Sequence, residues 1–221
     1  MSKLLKSALL LSIITIAYNV VEGLIAIYFG MSDETLALFG FGADSFVEVI
    51  SGIGIFHMVM RMRSSDISRR DQFERTALKI TGTAFYLLTA GLIIGSALNI
   101  INDVQPNTTM AGIVIAIISI ATMYFLMSYK LKVGKDMNSD AIIADAMCTK
   151  TFLYLSIILL SSSALYELFG IAYFDILGSL GIAYFAFKEG KEALELSKSG
   201  ELKCVCEPHK NELSEKQLII K

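Results

Sequence analysis

With 221 residues, 54% of them hydrophobic, no Trp and two Pro, the chain carries apolar stretches too long for strands, which points to a protein of bilayer-spanning helices and excludes a soluble domain. The formal net charge of −2 gives no support to nucleic-acid binding. Three cysteines make no disulfide framework.

Six apolar runs follow in chain order, at roughly 5–29, 35–61, 74–101, 109–130, 140–168 and 172–190, each interrupted by charge, Gly or a turn cluster. The predicted fold is all-α: a polytopic membrane protein with six transmembrane helices. The first run is too long, and too polar at Tyr18, Asn19 and Glu22, for a cleaved signal peptide, and it reads as a permanent helix. Lys3 and Lys6 precede span one; Arg61, Arg63, Arg69, Arg70 and Arg75 fill the second connection; Lys130, Lys132 and Lys135 the fourth; Lys188, Lys191, Lys198 and Lys203 follow span six. The alternate connections carry no Lys or Arg. Because short cytoplasmic loops collect positive charge, both termini are expected in the cytoplasm and the protein in the inner or plasma membrane. The Arg cluster reads as a topology determinant or a contact for membrane lipid headgroups.

Acids interrupt this apolar background. Asp44 and Glu48, four apart in span two, share a helix face; Asn19 and Glu22 do the same in span one. Counted from the outer ends of their spans, Glu22 and Asp44 fall at similar depth. An ionisable group at membrane depth is retained where it faces a protein interior or a wet cavity. With no Lys or Arg in the middle of spans one to four, these acids lack basic partners, and convergence on one divalent cation would neutralise them. In span five, Asp145 and Cys148 share a face and add a carboxylate and a thiol.

At these residues the chain resembles the cation diffusion facilitators, six-span exporters of divalent metals. The family's second span reads Ala-Asp-Ala-x-His-x-x-x-Asp. Here Ala43-Asp44-Ser45-Phe46-Val47-Glu48 replaces the His-x-x-x-Asp pair with Asp44 and Glu48. In span five, Ala144-Asp145-Ala146 matches the family's Ala-Asp-Ala, Cys148 falls where its ligand His would be, and Phe152 where its second Asp would be. Asn19-Val20-Val21-Glu22-Gly23 is similar to the polar motif of its first span, and Tyr173-Phe174-Asp175-Ile176 through Lys188-Glu189-Gly190 to its sixth. The resemblance implies a cation-transport domain over 1–195, a metal set of Asp44, Glu48 and Cys148 completed by Asp145, Glu22, Asn19 or water, packing of spans three and six as a unit, and a homodimer. It further implies a truncated form lacking the family's folded cytoplasmic C-terminal domain, with 196–221 as a short cytoplasmic tail.

Cys204, Cys206 and His209 in that tail form a candidate second metal site, set against a flexible polar tail with incidental cysteines. His57, nine residues beyond Glu48, reads as a hydrogen-bonded interfacial histidine. Glu167 and Asp175 read as solvated residues flanking the last outer turn. Gly91 with Gly95, and Gly178 with Gly181, offer small surfaces for close helix contact.

The expected function is divalent metal efflux by proton-coupled antiport, since protons and metal compete for carboxylates held out of water. Zinc fits a mixed oxygen and sulfur set; manganese, iron(II), cobalt and cadmium are the related substrates, and no organic cofactor is expected. The alternative is a membrane sensor or scaffold that binds metal without moving it. No nucleophile and base pair and no phosphate-binding loop argue for an enzyme.

Overall fold

The computed structural model describes residues 3–33, 35–61 and 71–199. Six helices follow one another: α1 (Lys3–Ser32), α2 (Leu36–Arg61), α3 (Gln72–Ile101), α4 (Met110–Asp136), α5 (Asp140–Phe169) and α6 (Tyr173–Ser199). Five are long and apolar enough to cross a bilayer; α6 carries Asp175 in its first turn and Lys188 and Glu189 further along. The protein is an all-α polytopic membrane protein, as its apolar pattern predicts. In hydrocarbon every backbone group must be satisfied within its own segment, and the helices do this.

Their ends follow local chemistry. Asp71 and Glu74 form a capping box at α3, with Glu74 N donating to Asp71 Oδ1 at 2.9 Å and Asp71 N to Glu74 Oε2 at 3.3 Å. Gly170 ends α5 at φ 65°, a left-handed cap that costs glycine little. Two other starts are capped from afar. Asp175 of α6 accepts from Leu36 N at 2.9 Å and Ala37 N at 3.2 Å, and Glu167 of α5 accepts from Thr109 N at 2.5 Å. These carboxylates satisfy first-turn amides that have no partner within their own helix and complement the dipoles of α2 and α4. Asp175 is therefore buried rather than the solvated boundary residue expected, and Glu167, although exposed, is bound to the start of α4.

The helices pack as pairs: α1 with α2, α4 with α5, and α3 with α6. The expected α3–α6 unit is present, but other residues make its seam. A Cβ at Gly82 would meet the Gly190 carbonyl at 2.9 Å, Ser96 and Ser179 hydroxyls lie 2.8 Å apart, and Thr89 donates to the Ala183 carbonyl at 3.3 Å. Gly95, Gly178 and Gly181 instead face Leu36, Ser162 and Ile158 on α2 and α5, while Gly91 meets nothing nearby.

Candidate cation-binding site

The pairing of α1 with α2 sets the site. A Cβ on Gly23 would stand 3.1 Å from the Gly42 carbonyl, and one on Gly42 would stand 2.8 Å from Ile27 N. Only side chains as small as hydrogen let these backbones approach so closely, and the approach carries Asn19 and Glu22 to the side of α1 that faces Asp44.

Asp44 is 1% exposed, and neither carboxylate oxygen has a hydrogen-bond partner. Asn19 and Glu22 are also buried. The Tyr18 hydroxyl donates to Glu22 Oε1 at 2.8 Å, whereas Glu22 Oε2 and Asn19 Oδ1 have no partner. Buried polar atoms are paired in the great majority of cases, so four such acceptor oxygens on facing helices call for a bound cation, a proton or an ordered water. Charge compounds it, because Glu48, Glu189 and Glu22 all act electrostatically on Asp44.

One turn along α2, Glu48 is half-buried and separates two small cavities. The first, about 40 Å³, is bounded by Thr81, Cys148, Glu189 and Glu192; the second, about 20 Å³, by Ser12, Lys130, Asp145 and Thr149. Glu48 and Cys148 belong to both walls. On the other side of the acids, Glu22 borders an apolar cleft of about 650 Å³ between α1 and α4.

Asp145 borders the second cavity with Glu48 but has a basic partner of its own. The sequence places Lys130 in a loop; the structure corrects this and gives Asp145 a basic partner, whereas Asp44 has none. Helix α4 continues to Asp136, so Lys130 lies within it, 2% exposed, and its Nζ donates to Asp145 Oδ1 and to Thr149 Oγ1, each at 3.0 Å. Lys130 also acts electrostatically on Glu48.

Phe152, at the position of the family's second span-five Asp, is 2% exposed and packs in the main hydrophobic cluster with its ring centroid 5.2 Å from that of Phe41. His57 is partly exposed, with Nδ1 3.4 Å from Glu74 Oε1 and 3.7 Å from Asp71 Oδ2. The three side chains present ligand atoms within 4.8 Å of one another. The Arg61 guanidinium already pairs with both acids there, Nε lying 2.8 Å from Glu74 Oε1 and 3.3 Å from Asp71 Oδ2. Cys204, Cys206 and His209, and the connection residues Arg63, Arg69 and Arg70, lie outside the described residues.

Sequence reasoning missed Glu189 and Lys130 as neighbours of the acids. For Lys130 a signal existed, since the apolar pattern of span four runs on through Leu131 and Val133.

Comparison with known proteins agrees with the helical membrane architecture. Residues 9–199 match the cation efflux transmembrane domain. An uncharacterised transporter of Methanocaldococcus jannaschii is 29% identical over 177 residues, a stretch covering 77% of this chain and 62% of that relative. The chain thus spans less than two thirds of the length of its curated relative. From the six-helix bundle, the buried acids on α1 and α2, and a domain match running from α1 to the end of α6, the chain belongs to the cation efflux family.

Proposed function

We propose that the protein is a divalent metal cation efflux transporter that works as a proton-coupled antiporter, with zinc as its favoured substrate and manganese, iron(II), cobalt and cadmium as related ones. Asp44 carries this reading: a buried carboxylate with two unpartnered oxygens, beside Glu22 and Glu48, is an arrangement that a divalent ion completes. A carboxylate held out of water is more stable with a proton or facing a cation than as a bare anion, so the two ligands exchange at one site. Glu48 borders cavities on one side of Asp44 and Glu22 borders a cleft on the other, which suits a site that meets each side in turn. Pairing of α3 with α6 supplies a unit that can move against the remaining helices.

In this reading the metal set is Asp44, Glu48 and Cys148, with Glu22, Asn19 and Asp145 at its margin, and Lys130 holds Asp145 in place. Residues 1–195 form the transport domain, 196–221 a tail in which Cys204, Cys206 and His209 capture metal. Both termini face the cytoplasm of a plasma or inner membrane, and the protein works as a homodimer.

The test is uptake into proteoliposomes under an imposed pH gradient, across the five metals, with Asp44→Asn as the control. Gradient-driven uptake lost in the control is the expected result. Tight binding with no flux from an intact, correctly reconstituted protein would replace transport with a sensing or scaffold role, which Phe152 at a ligand position favours.

A further inference from the structure

The ligand pattern of α2 and α5 is one donor short, because Phe152 faces the core. The 40 Å³ cavity beside Glu48 contains donors that this pattern does not use. Glu189 of α6 borders it and acts electrostatically on both Glu48 and Asp44. Carboxylates gathered around a small cavity inside the bundle repel one another at short range, and a divalent cation reverses the sign of that interaction.

An independent feature of the same wall also points to a ligand. Thr81 of α3 is 2% exposed, and its hydroxyl has no hydrogen-bond partner. Its neighbours on α3 behave differently: Thr83 donates to the Lys79 carbonyl and Thr89 to the Phe85 carbonyl, each at 2.8 Å, the usual bond one turn back. The Thr81 hydroxyl is thus left at the wall of the cavity with its hydrogen-bonding capacity unused. The cavity size admits a cation. At about 40 Å³ it exceeds the roughly 10–15 Å³ that one water needs, so an ion with a bound water fits.

We propose that Glu189 is a cation ligand, and that Glu48, Cys148 and Glu189, which border this cavity with their ligand atoms not yet within 4.8 Å of one another, draw together on a divalent cation there, with the Thr81 hydroxyl bonding a metal-bound water. The site rests on the cation-transport reading and extends it, because α6 becomes part of the coordination shell. Two carboxylates and one thiolate suit zinc, cobalt or cadmium better than a purely oxygen-seeking ion. Since α6 pairs with α3, a ligand on α6 ties metal occupancy directly to the position of that pair.

The test is cobalt(II) titration of the full-length chain in detergent, carrying Cys204→Ser and Cys206→Ser so that thiolate-to-cobalt absorption reports Cys148. Glu189→Gln is expected to weaken cobalt binding by about tenfold or more, the scale of a lost ligand-shell partner, with Glu189→Asp recovering most of it. Glu189→Cys is expected to add a second thiolate and raise the charge-transfer absorption per bound cobalt, while Glu192→Cys does not. A Glu189→Gln protein that binds cobalt like its parent, or a Glu189→Cys protein with single-thiolate absorption, overturns the assignment. In that event, loss of binding in Glu48→Gln would leave the cation-transport reading standing. No cobalt binding by the parent protein would overturn both.

Discussion

Lys130 Nζ on α4 lies 3.0 Å from Asp145 Oδ1 on α5, an ion pair with side chains only 3% and 10% exposed. Thr149 completes it, accepting from Lys130 and donating to the Asp145 carbonyl at 3.1 Å. A buried pair of this kind offsets its own desolvation cost, and loss of one partner leaves a bare charge in the bundle.

Lys130→Met is therefore expected to destabilise the protein by about 3–5 kcal/mol, whereas Lys130→Met combined with Asp145→Leu comes close to the parent. Thermal denaturation of the four proteins of this double-mutant cycle in one detergent measures the difference. A loss in the double variant equal to the sum of the two single losses would show that the ion pair contributes nothing specific.

Asp44 predicts the opposite balance between stability and function. Its carboxylate is buried without a partner, so Asp44→Leu removes a desolvated polar group while roughly conserving volume. The variant is expected to melt higher than the metal-free parent by the equivalent of about 1–3 kcal/mol and to lose metal-induced stabilisation. Melting curves with and without zinc decide it; a metal response as large as the parent's would remove Asp44 from the site.

Phe152 predicts that the family's ligand cannot simply be restored. Its ring fills the core against Phe41, so Phe152→Asp opens a cavity and buries a charge. A loss of about 3–5 kcal/mol is expected, with no gain in zinc affinity by calorimetry. Tighter zinc binding in this variant would mean that α5 supplies a ligand at that position after all.

Asp175 holds the start of α2 through two backbone amides, eight residues before Asp44. Asp175→Ala is expected to cost about 1–2 kcal/mol, as loss of a helix cap does, and Asp175→Asn less, because an amide oxygen still accepts. Amide hydrogen exchange across 36–40 should rise in Asp175→Ala; unchanged protection there would rule out the capping role.

The number and character of the helices were legible in the sequence because a bilayer span is a local property: length, apolarity and interruption are all visible within about 20 residues. The burial of Asp44, Glu22 and Asn19 was legible for a related reason, since polar groups at such depth stand out against their neighbours whatever the fold. The α3–α6 pairing came from family resemblance, and the seam residues Gly82 and Gly190 did not, because many small residues suit close packing and only the rotation of each helix selects among them.

What the sequence by itself determined, then, is the all-helical membrane architecture and the presence of buried acids. Tertiary structure decided which charges meet. Lys130 reaches Asp145 because α4 continues one and a half turns or so past its predicted end and folds back against α5. Asp175 reaches Leu36 across 139 positions, and Glu189 comes to Glu48 only because α6 lies beside α2. The cost of burying a charge is local, but its compensation comes from whichever helix packs alongside, and that is set by the whole bundle.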